Sequence, residues 1–380
     1  MDLNELRDRI DEIDSGIVRL ISDRMEVVRE VAKYKAASGK PVYDPQRERE
    51  KLARIAAEAG EDLAPVTDVL FGVIFDLSRS AQHRMLAGES AIRSRIKGAL
   101  ENTQKQFPVR PVVACQGIEG AYSQLACERM FPSGSIMYFR TFDSVFSAVE
   151  QGLCQYGILP LENSTAGSVN RIYDLMMEHE CFIIRSCRVK VDHCLLAKKG
   201  VRPGDIKEIF SHEQAIAQCQ GFLENLKHVK VTPCANTAEA ARMVSESERC
   251  DIAALSSPGC AGLYGLECLD SCVQDKANNY TRFICISKKL EIYPGANRTS
   301  LMVVLPNRRG SLYRALSRFN ALGINLLKLE SRPLVNSDFE FMFYFDLEVS
   351  VYSDEFLRVF DDLEGAVTSL KYLGSYTEVV

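Results

Sequence analysis

The chain has 380 residues, 46% of them hydrophobic and 26% charged, and carries a net charge of −5. That is room for two or three domains of ordinary soluble composition, and the acidic balance excludes the broad basic face a nucleic-acid partner needs. No apolar run approaches the ~20 residues of a membrane span, and the opening MDLNELRDRIDEID lacks the apolar stretch of a signal peptide, so a cytoplasmic protein is expected.

The first segment, residues 1–90, reads as all helical. Leu3, Leu6, Ile10, Ile13, Ile17, Leu20, Ile21, Val27, Val28 and Val31 recur at steps of three and four without an interrupting proline. Asp2 and Glu5 make a capping pair, and Ser38-Gly39-Lys40-Pro41 ends the helix. Asp44-Pro45 starts a second helix, and a third, with Val66, Val69, Leu70, Val73, Ile74 and Leu77, follows Ala64-Pro65. A first helix of more than thirty residues, ~45 Å long, cannot cover its stripe with two shorter partners, so this segment is expected to dimerise.

A charged connector, 91–107, is expected to be helical and ends at Phe107-Pro108. The second segment, 108–290, alternates short apolar runs with helical patterns, an α/β arrangement with strands expected at Val112–Ala114, Tyr156–Leu159, Cys194–Ala197, Glu208–Phe210, Ile252–Leu255 and Phe283–Ser287. All 13 cysteines lie between Cys115 and Cys285. Their number is odd and no CxxC pair occurs, so they read as reduced, small apolar side chains; neither a metal nor a cofactor is expected. The third segment, 297–380, runs β-α-β-β-α-β, with strands at Ser300–Leu305, Asn325–Ser331, Glu340–Val349 and Tyr372–Val379. Its helices are expected at Ser311–Leu322 and Asp354–Leu370, a ferredoxin-like layout.

Polar residues that interrupt the apolar stripes carry the chemistry. Arg24 and Lys35, eleven positions apart, fall within about 20° of one helix face. Asp44, Arg47 and Glu48 share a face of the next helix, and Ser78 and Gln82 a face of the third. Each alone reads as solvated surface; together they offer cations for a dianion, acceptors for a hydroxyl and donors for a neutral oxygen, with no nucleophile. Arg7 lies about 100° around the first helix from Arg24 and so points away from that group, which leaves it free to serve a site in a partner subunit. In the second segment, the strand at Tyr156 is expected to break at Pro160 into Glu162-Asn163-Ser164-Thr165-Ala166-Gly167-Ser168. The pattern Val169, Ile172, Leu175 then resumes as a helix. Such a turn reads as a simple capped loop or as a set of free N–H groups that hold an anion at a helix N-terminus.

The run ENSTAGSV, taken with Asn279-Tyr280-Thr281-Arg282-Phe283, resembles the signature pair of the prephenate dehydratases. The resemblance implies a two-lobed, periplasmic-binding-protein-like α/β domain. In it Thr281 faces the leaving hydroxyl with Arg282 beside it, and Asn163, Ser164, Thr165, Ser211 and Gln218 line the pocket. A threonine hydroxyl is too weak an acid to release a free proton, which leaves Glu162 and His212 as alternative proton sources. Gly117–Ser123 resembles the family's opening glycine loop. Glu213 and Asn236 stand where relatives usually have Pro and Ser.

Arg7, Arg24, Lys35, Asp44, Arg47, Glu48, Ser78 and Gln82 fall where the all-helical chorismate mutases keep their active-site residues. By that resemblance Arg7, Arg24 and Arg47 hold carboxylates, with Ser78 assisting. Lys35 and Gln82 donate to the ether oxygen, and Asp44 and Glu48 meet the hydroxyl. Asn307-Arg308-Arg309-Gly310-Ser311-Leu312 and Glu330-Ser331-Arg332-Pro333 resemble the two signatures of the phenylalanine-sensing ACT domain, with Arg309 and Ser311 where Pro and Ala are commoner. The order mutase, dehydratase, ACT is that of the bifunctional enzymes of phenylalanine synthesis. It implies chorismate and prephenate as substrates, L-phenylalanine as effector, and a homodimer or larger homo-oligomer. Two alternatives stay open: a sensor that keeps the pockets without one of the activities, and an enzyme acting on arogenate.

Overall fold

The computed structural model describes residues 2–86, 91–226, 228–308, 310–334, 340–363 and 367–379. They form two compact units, one of Met1–Arg95 with Met302–Lys371, the other of Ile96–Leu301 with Tyr372–Val380.

The first unit begins with α1 (Leu3–Ser38), whose ends follow from the sequence. The Asp2 carboxylate accepts from the Asn4 and Glu5 N–H groups, Glu5 reaches back to the Asp2 N–H, and Gly39 at φ 64° stops the helix with its N–H on the Lys35 carbonyl. The next helix, α2 (Pro45–Leu86), opens on Asp44, which accepts the Arg47 N–H at 3.0 Å. Its break falls at Gly60 (φ 76°) and not at the expected Ala64-Pro65, so residues 61–64 are already helical and Pro65 lies one turn inside the continuation. Of α1, only Val28 and Ala32 are buried, while Leu3, Ile10, Ile13, Leu20 and Val27 are each more than half exposed.

Next along the chain come α3 (Ala91–Asn102), β1 (Val112–Gln116), α4 (Tyr122–Met130), β2 (Ser135–Phe139), α5 (Phe142–Glu150), β3 (Tyr156–Asn163), β4 (Gly167–Ser168), α6 (Asn170–Glu178), β5 (Phe182–Lys190) and β6 (Cys194–Ala197). They are followed by β7 (Glu208–Ser211), α7 (Glu213–Gln218), α8 (Gln220–Glu224), β8 (Lys230–Pro233), α9 (Thr237–Glu246), β9 (Ile252–Ser256), α10 (Gly259–Leu263), β10 (Glu267–Asp270) and β11 (Tyr280–Ser287). The chain closes with β12 (Arg298–Val304), α11 (Ser311–Ala321), β13 (Asn325–Pro333), β14 (Phe341–Glu348), α12 (Asp354–Leu363) and β15 (Ser369–Val379). The β-α-β-β-α-β order of the third segment holds, with side-by-side order β13-β14-β12-β15. Its second helix is shorter than the sequence suggests, because Ser369 and Leu370 already belong to β15.

The second unit has two sheets. In one, β5, β11, β3, β1 and β2 lie side by side, and the end of the chain adds a parallel edge through Thr377↔Arg185 and Val379↔Cys187. The other is β10-β6-β9-β7-β8. Each has its own core, the first around Ile158, Cys187, Phe283 and Cys285, the second around Leu196, Ala241, Ala254 and Leu255. All six strands expected in this segment are present. The strand at Tyr156 does not break at Pro160 but runs on to Asn163, because Pro160 sits at a bulge where the β11 register shifts between Arg282 and Phe283. The connector is packed and not loose. Phe107 stacks on Phe131 at 4.9 Å, meets Tyr293 edge-on at 4.8 Å, and carries the Arg185 guanidinium 3.3 Å from its ring centre. Nine of the cysteines are buried, and none forms a disulfide among the described residues. At the chain's end Gly374 (φ 136°) packs so tightly on β5 that a Cβ would lie 2.2 Å from the Ile183 carbonyl oxygen.

Candidate active sites

The first unit holds a cavity of about 250 Å³ between α1 and α2. Seven of the eight residues expected from the sequence line it: Arg24, Lys35, Asp44, Arg47, Glu48, Ser78 and Gln82. Helical spacing brings them there, since the apolar stripe that packs α1 on α2 also turns these polar positions toward the seam. Arg7 lies elsewhere on α1, exposed, and does not line this cavity. Arg24 donates to the Ser78 hydroxyl, which donates to the Ile74 carbonyl at 2.6 Å, and the Lys35 ammonium donates to the Val42 carbonyl at 2.7 Å. Gln82 is buried; its Nε2 has a long contact of 3.4 Å to the Ser78 carbonyl, and its Oε1 has no protein partner.

Lys51, Phe75 and Arg79 also line the cavity and were not read from the sequence. Arg79 pairs with both Glu48 and Asp76 and lies over the Tyr43 ring, 5.1 Å from its centre. Its position directly after Ser78 was the only signal for it. The lining therefore carries five cations, Arg24, Lys35, Arg47, Lys51 and Arg79, against two carboxylates, Asp44 and Glu48. The crowding registers in the Lys51 ammonium, whose pKa is lowered by burial first and then by Arg24, Arg47 and Arg54. Burial likewise lowers that of Arg24.

A second cavity, about 410 Å³, lies between the two sheets of the second unit. Its walls include Tyr122, Ser123, Asn163, His193, His212, Gln218, Thr237 and Thr281, at the carboxyl ends of β1 and β7, where α/β sheets bind ligands. It is lined by neutral groups and two histidines, with no Lys or Arg among its described walls. Backbone dipoles compensate in part. The helices α4 and α9 both begin at this wall, and α4 has no side-chain cap on its first turn. Upstream of α4, Gly120 (φ 90°) lets the loop close, since a Cβ there would meet the Cys260 sulfur at 2.7 Å.

The turn after β3 is organised by one amide. The Asn163 Oδ1 accepts the Thr165 and Ala166 N–H groups at 3.0 and 2.9 Å and the Thr165 hydroxyl at 2.7 Å. Those N–H groups are therefore spent within the turn, and α6 begins only at Asn170, so the sequence-based reading of this turn as an anion site is corrected. The Asn163 Nδ2 donates to Thr281 Oγ1 at 2.9 Å and to Asn279 Oδ1 at 2.8 Å. Gln218 joins the group, donating to the Thr165 hydroxyl at 2.8 Å and accepting from Asn279 Nδ2 at 3.0 Å. Asn279 was read only as the first residue of the signature, with no role of its own, and His193 was not read at all; a lone histidine ahead of a buried strand carries no pattern of its own.

Four other expectations are corrected, the first two by strand alternation. Thr281 and Asn163 are paired across β11 and β3 and face the cavity, so Arg282 and its cross-strand partner Glu162 face the other side of the sheet. There the Arg282 guanidinium meets Glu162 at 3.2 Å, Glu378 at 3.4 Å and the Tyr376 hydroxyl at 2.8 Å. Neither stands beside Thr281 as a charge or a proton source. Ser211 is fully buried and donates to the Leu255 carbonyl at 2.7 Å, and Ser164 ties the turn to Asn278 and Tyr280, so neither lines the cavity. His212 does line it, while its Nδ1 caps α7 by accepting the Gln214 N–H at 3.2 Å.

In the third segment Gly310 (φ 78°) opens α11 without a side-chain cap, and Ser311 is buried and accepts from Arg314 at 3.0 Å. Leu312 follows in the same turn. Glu330, Ser331 and Arg332 sit near the end of β13, opposite Tyr344, Phe343 and Met342 of β14. Arg309 lies outside the described residues.

The family model for prephenate dehydratase matches residues 113–291, and that for chorismate mutase type II matches residues 6–83. Arogenate dehydratase/prephenate dehydratase 2 of Arabidopsis thaliana is 38% identical over 70% of this chain and 72% of its own length. The bifunctional chorismate mutase/prephenate dehydratase of Escherichia coli K12 is 29% identical over 98% of this chain and 95% of its own. Among solved structures, a prephenate dehydratase from Arthrobacter aurescens in complex with L-Phe is 27% identical, with a TM-score of 0.64 over 70% of this chain and 89% of that one. GqqA, described as a quorum quenching acylase, is 33% identical with a TM-score of 0.65 over 70% and 98%. The chain belongs to the prephenate dehydratase family. It is a bifunctional enzyme, with a chorismate mutase domain ahead of the dehydratase domain.

Proposed function

We propose that the two cavities carry the two steps. The first-unit cavity rearranges chorismate to prephenate, and the cavity at Thr281 removes carbon dioxide and the hydroxyl from prephenate to give phenylpyruvate. The observation that carries the first step is the excess of cations over carboxylates in a small pocket without a nucleophile, inside a chain of net charge −5. An intramolecular rearrangement of a dianion needs that and no more: selection of a compact conformer and stabilisation of charge on the breaking ether oxygen. In this reading Arg24 and Arg47 take carboxylates with help from Ser78, Lys35 and Gln82 donate to the ether oxygen, and Asp44 and Glu48 meet the hydroxyl. The lone long contact of Gln82 leaves its amide able to turn toward substrate. The eighth residue, Arg7, is supplied by a second copy, whose α1 covers the exposed stripe; a homodimer is thus the smallest complete mutase.

For the second step, the Thr281 hydroxyl donates to the leaving hydroxyl, and the starts of α4 and α9 hold carboxylate. His212, on the cavity wall, is the titratable candidate for the proton source. Residues 297–380 form a ferredoxin-like ACT domain after a dehydratase domain at 108–290, with a connector at 91–107 and the mutase at 1–90. Gly310, Ser311 and Leu312 with Glu330, Ser331 and Arg332 are its candidate contacts for L-phenylalanine, the ligand of the Arthrobacter relative. The enzyme works in the cytoplasm, in phenylalanine biosynthesis; no described helix is long and apolar enough to cross a membrane.

The deciding experiment supplies chorismate to the purified chain and follows prephenate and phenylpyruvate separately, with and without L-phenylalanine. Both products should form, and the effector should suppress the second. Prephenate without phenylpyruvate would remove the second assignment, and rates untouched by millimolar phenylalanine would remove the effector. Arogenate is a second reading for the same cavity, favoured by the names of the plant relatives. A larger kcat/KM for arogenate than for prephenate would establish it.

A further inference from the structure

Behind Thr281 lies a hydrogen-bonded chain whose direction can be assigned atom by atom. The Asn163 Oδ1 faces two backbone N–H groups, at 3.0 and 2.9 Å, which can only donate. That fixes the amide, so Nδ2 is the atom that meets Thr281 Oγ1 and Asn279 Oδ1. With its oxygen accepting from Asn163, Asn279 turns its own Nδ2 to Gln218 Oε1 at 3.0 Å. The Gln218 Oε1 also lies 3.1 Å from His193 Nε2. A carbonyl oxygen only accepts, so His193 must carry a proton on Nε2.

His193 is 2% exposed, and its Nδ1 lies 3.4 Å from the Tyr122 hydroxyl, which donates to the Asp192 carbonyl. The two rings meet edge to face at 5.8 Å, and both line the cavity. Burial lowers the imidazole's pKa, which keeps the ring neutral at physiological pH and leaves one proton to be placed.

The consequence appears at the other end. Thr281 Oγ1 receives the Asn163 proton, and no acceptor among the described residues takes the threonine's own proton, so that proton is left for whatever occupies the cavity. We propose that His193 is a positioning residue of the dehydratase: as a neutral Nε2–H donor it closes the chain Gln218–Asn279–Asn163 that presents the Thr281 hydroxyl as a donor to substrate. It does not touch the reacting atoms in this scheme, and no proton leaves the imidazole. The proposal rests on the assignment of the Thr281 cavity as the dehydratase site.

The test uses the full-length enzyme with prephenate and two substitutions. His193→Phe keeps the edge-to-face ring contact and removes the donor; His193→Gln keeps a donor near the Nε2 position. His193→Phe should lower dehydratase kcat by about tenfold or more, as loss of one aligned transition-state donor does, with KM within about threefold of wild type. His193→Gln should recover most of that loss. Mutase activity in the same preparations serves as the control, because its cavity is in the other unit. Should His193→Phe fail to accumulate as folded protein, His193→Gln alone decides: near-normal kcat supports the role, and a tenfold loss overturns it. A loss confined to KM, equal impairment of both variants, or a fully active His193→Phe also overturns it. The underlying assignment is checked separately by Thr281→Val: an inactive Thr281→Val beside a fully active His193→Phe defeats the positioning role and leaves the site assignment standing.

Discussion

At Thr281 and Arg282 two adjacent residues of one signature do unrelated work, because a strand sends neighbouring side chains to opposite faces. The threonine faces the cavity, and the arginine is buried on the other side between Glu162 and Glu378. Thr281→Val keeps the shape and removes the donor, so phenylpyruvate formation should fall by at least about a hundredfold while mutase activity persists. A variant above a tenth of the wild-type rate would end the central role of that hydroxyl. Farther from the cavities, Glu208 accepts from Arg249, Thr232 and Lys230, which lower its pKa from 4.5 to about 2. A carboxylate depressed on folding stabilises the protein above its unfolded pKa, and the contribution is lost as pH falls through the folded value. Glu208→Gln should therefore melt below wild type at neutral pH, and the gap should close between pH 4.5 and about 2. An equal gap at pH 7 and at pH 2.5 would show that packing, not charge, sets the difference. The seven polar residues of the first-unit cavity were legible because 3.6-residue spacing maps sequence directly onto a helix face. The reach of Arg282 was not, because what lies beneath its strand comes from residues almost a hundred positions later: its bond to Tyr376 spans 94 positions.

Among the elements, the same contrast holds. Ends set by local chemistry, such as the Asp2–Glu5 box and the Gly39 stop of α1, were readable, as were strands with continuous apolar runs. β2 and β5 were not expected. The burial along β2 is irregular, and β5 mixes Arg185, Ser186 and Arg188 into a strand whose charges find partners from distant segments. Pro160 also misled, since a bulge that admits proline depends on the facing strand, here β11. At the last strand, Gly374→Ala would push a Cβ against the Ile183 carbonyl at a φ of 136°. A cost of about 2–4 kcal/mol is expected, read as a lower denaturation midpoint for the dehydratase unit. Wild-type stability would mean that the Gly374–Ile183 approach is not tight enough to exclude a methyl group.

For the whole molecule, the exposed stripe of α1 and the position of Arg7 lead to a complementation experiment. Arg7→Ala and Lys35→Ala should each lose mutase activity as pure proteins. Mixed under conditions that exchange subunits, they should recover up to about a quarter of wild-type activity, since a mixed dimer has one site with both side chains intact. No recovery from subunits that demonstrably exchange would place Arg7 in its own chain's site.

The edge of the dehydratase sheet also carries a schedule. Ser186 of β5 and Glu378 at the chain's end are 192 positions apart, yet they share a hydrogen bond of 3.5 Å. A ribosome adding roughly 5–20 residues per second needs about 10–40 s to deliver the second partner after the first. Arg282 is made about halfway through that interval and then lacks Glu378 and Tyr376, while β5 keeps an open edge throughout, the kind of surface on which nascent chains pair wrongly. Cutting the chain after residue 295 would leave that edge open permanently, so the dehydratase sheet is finished only once residues 376–379 have been made.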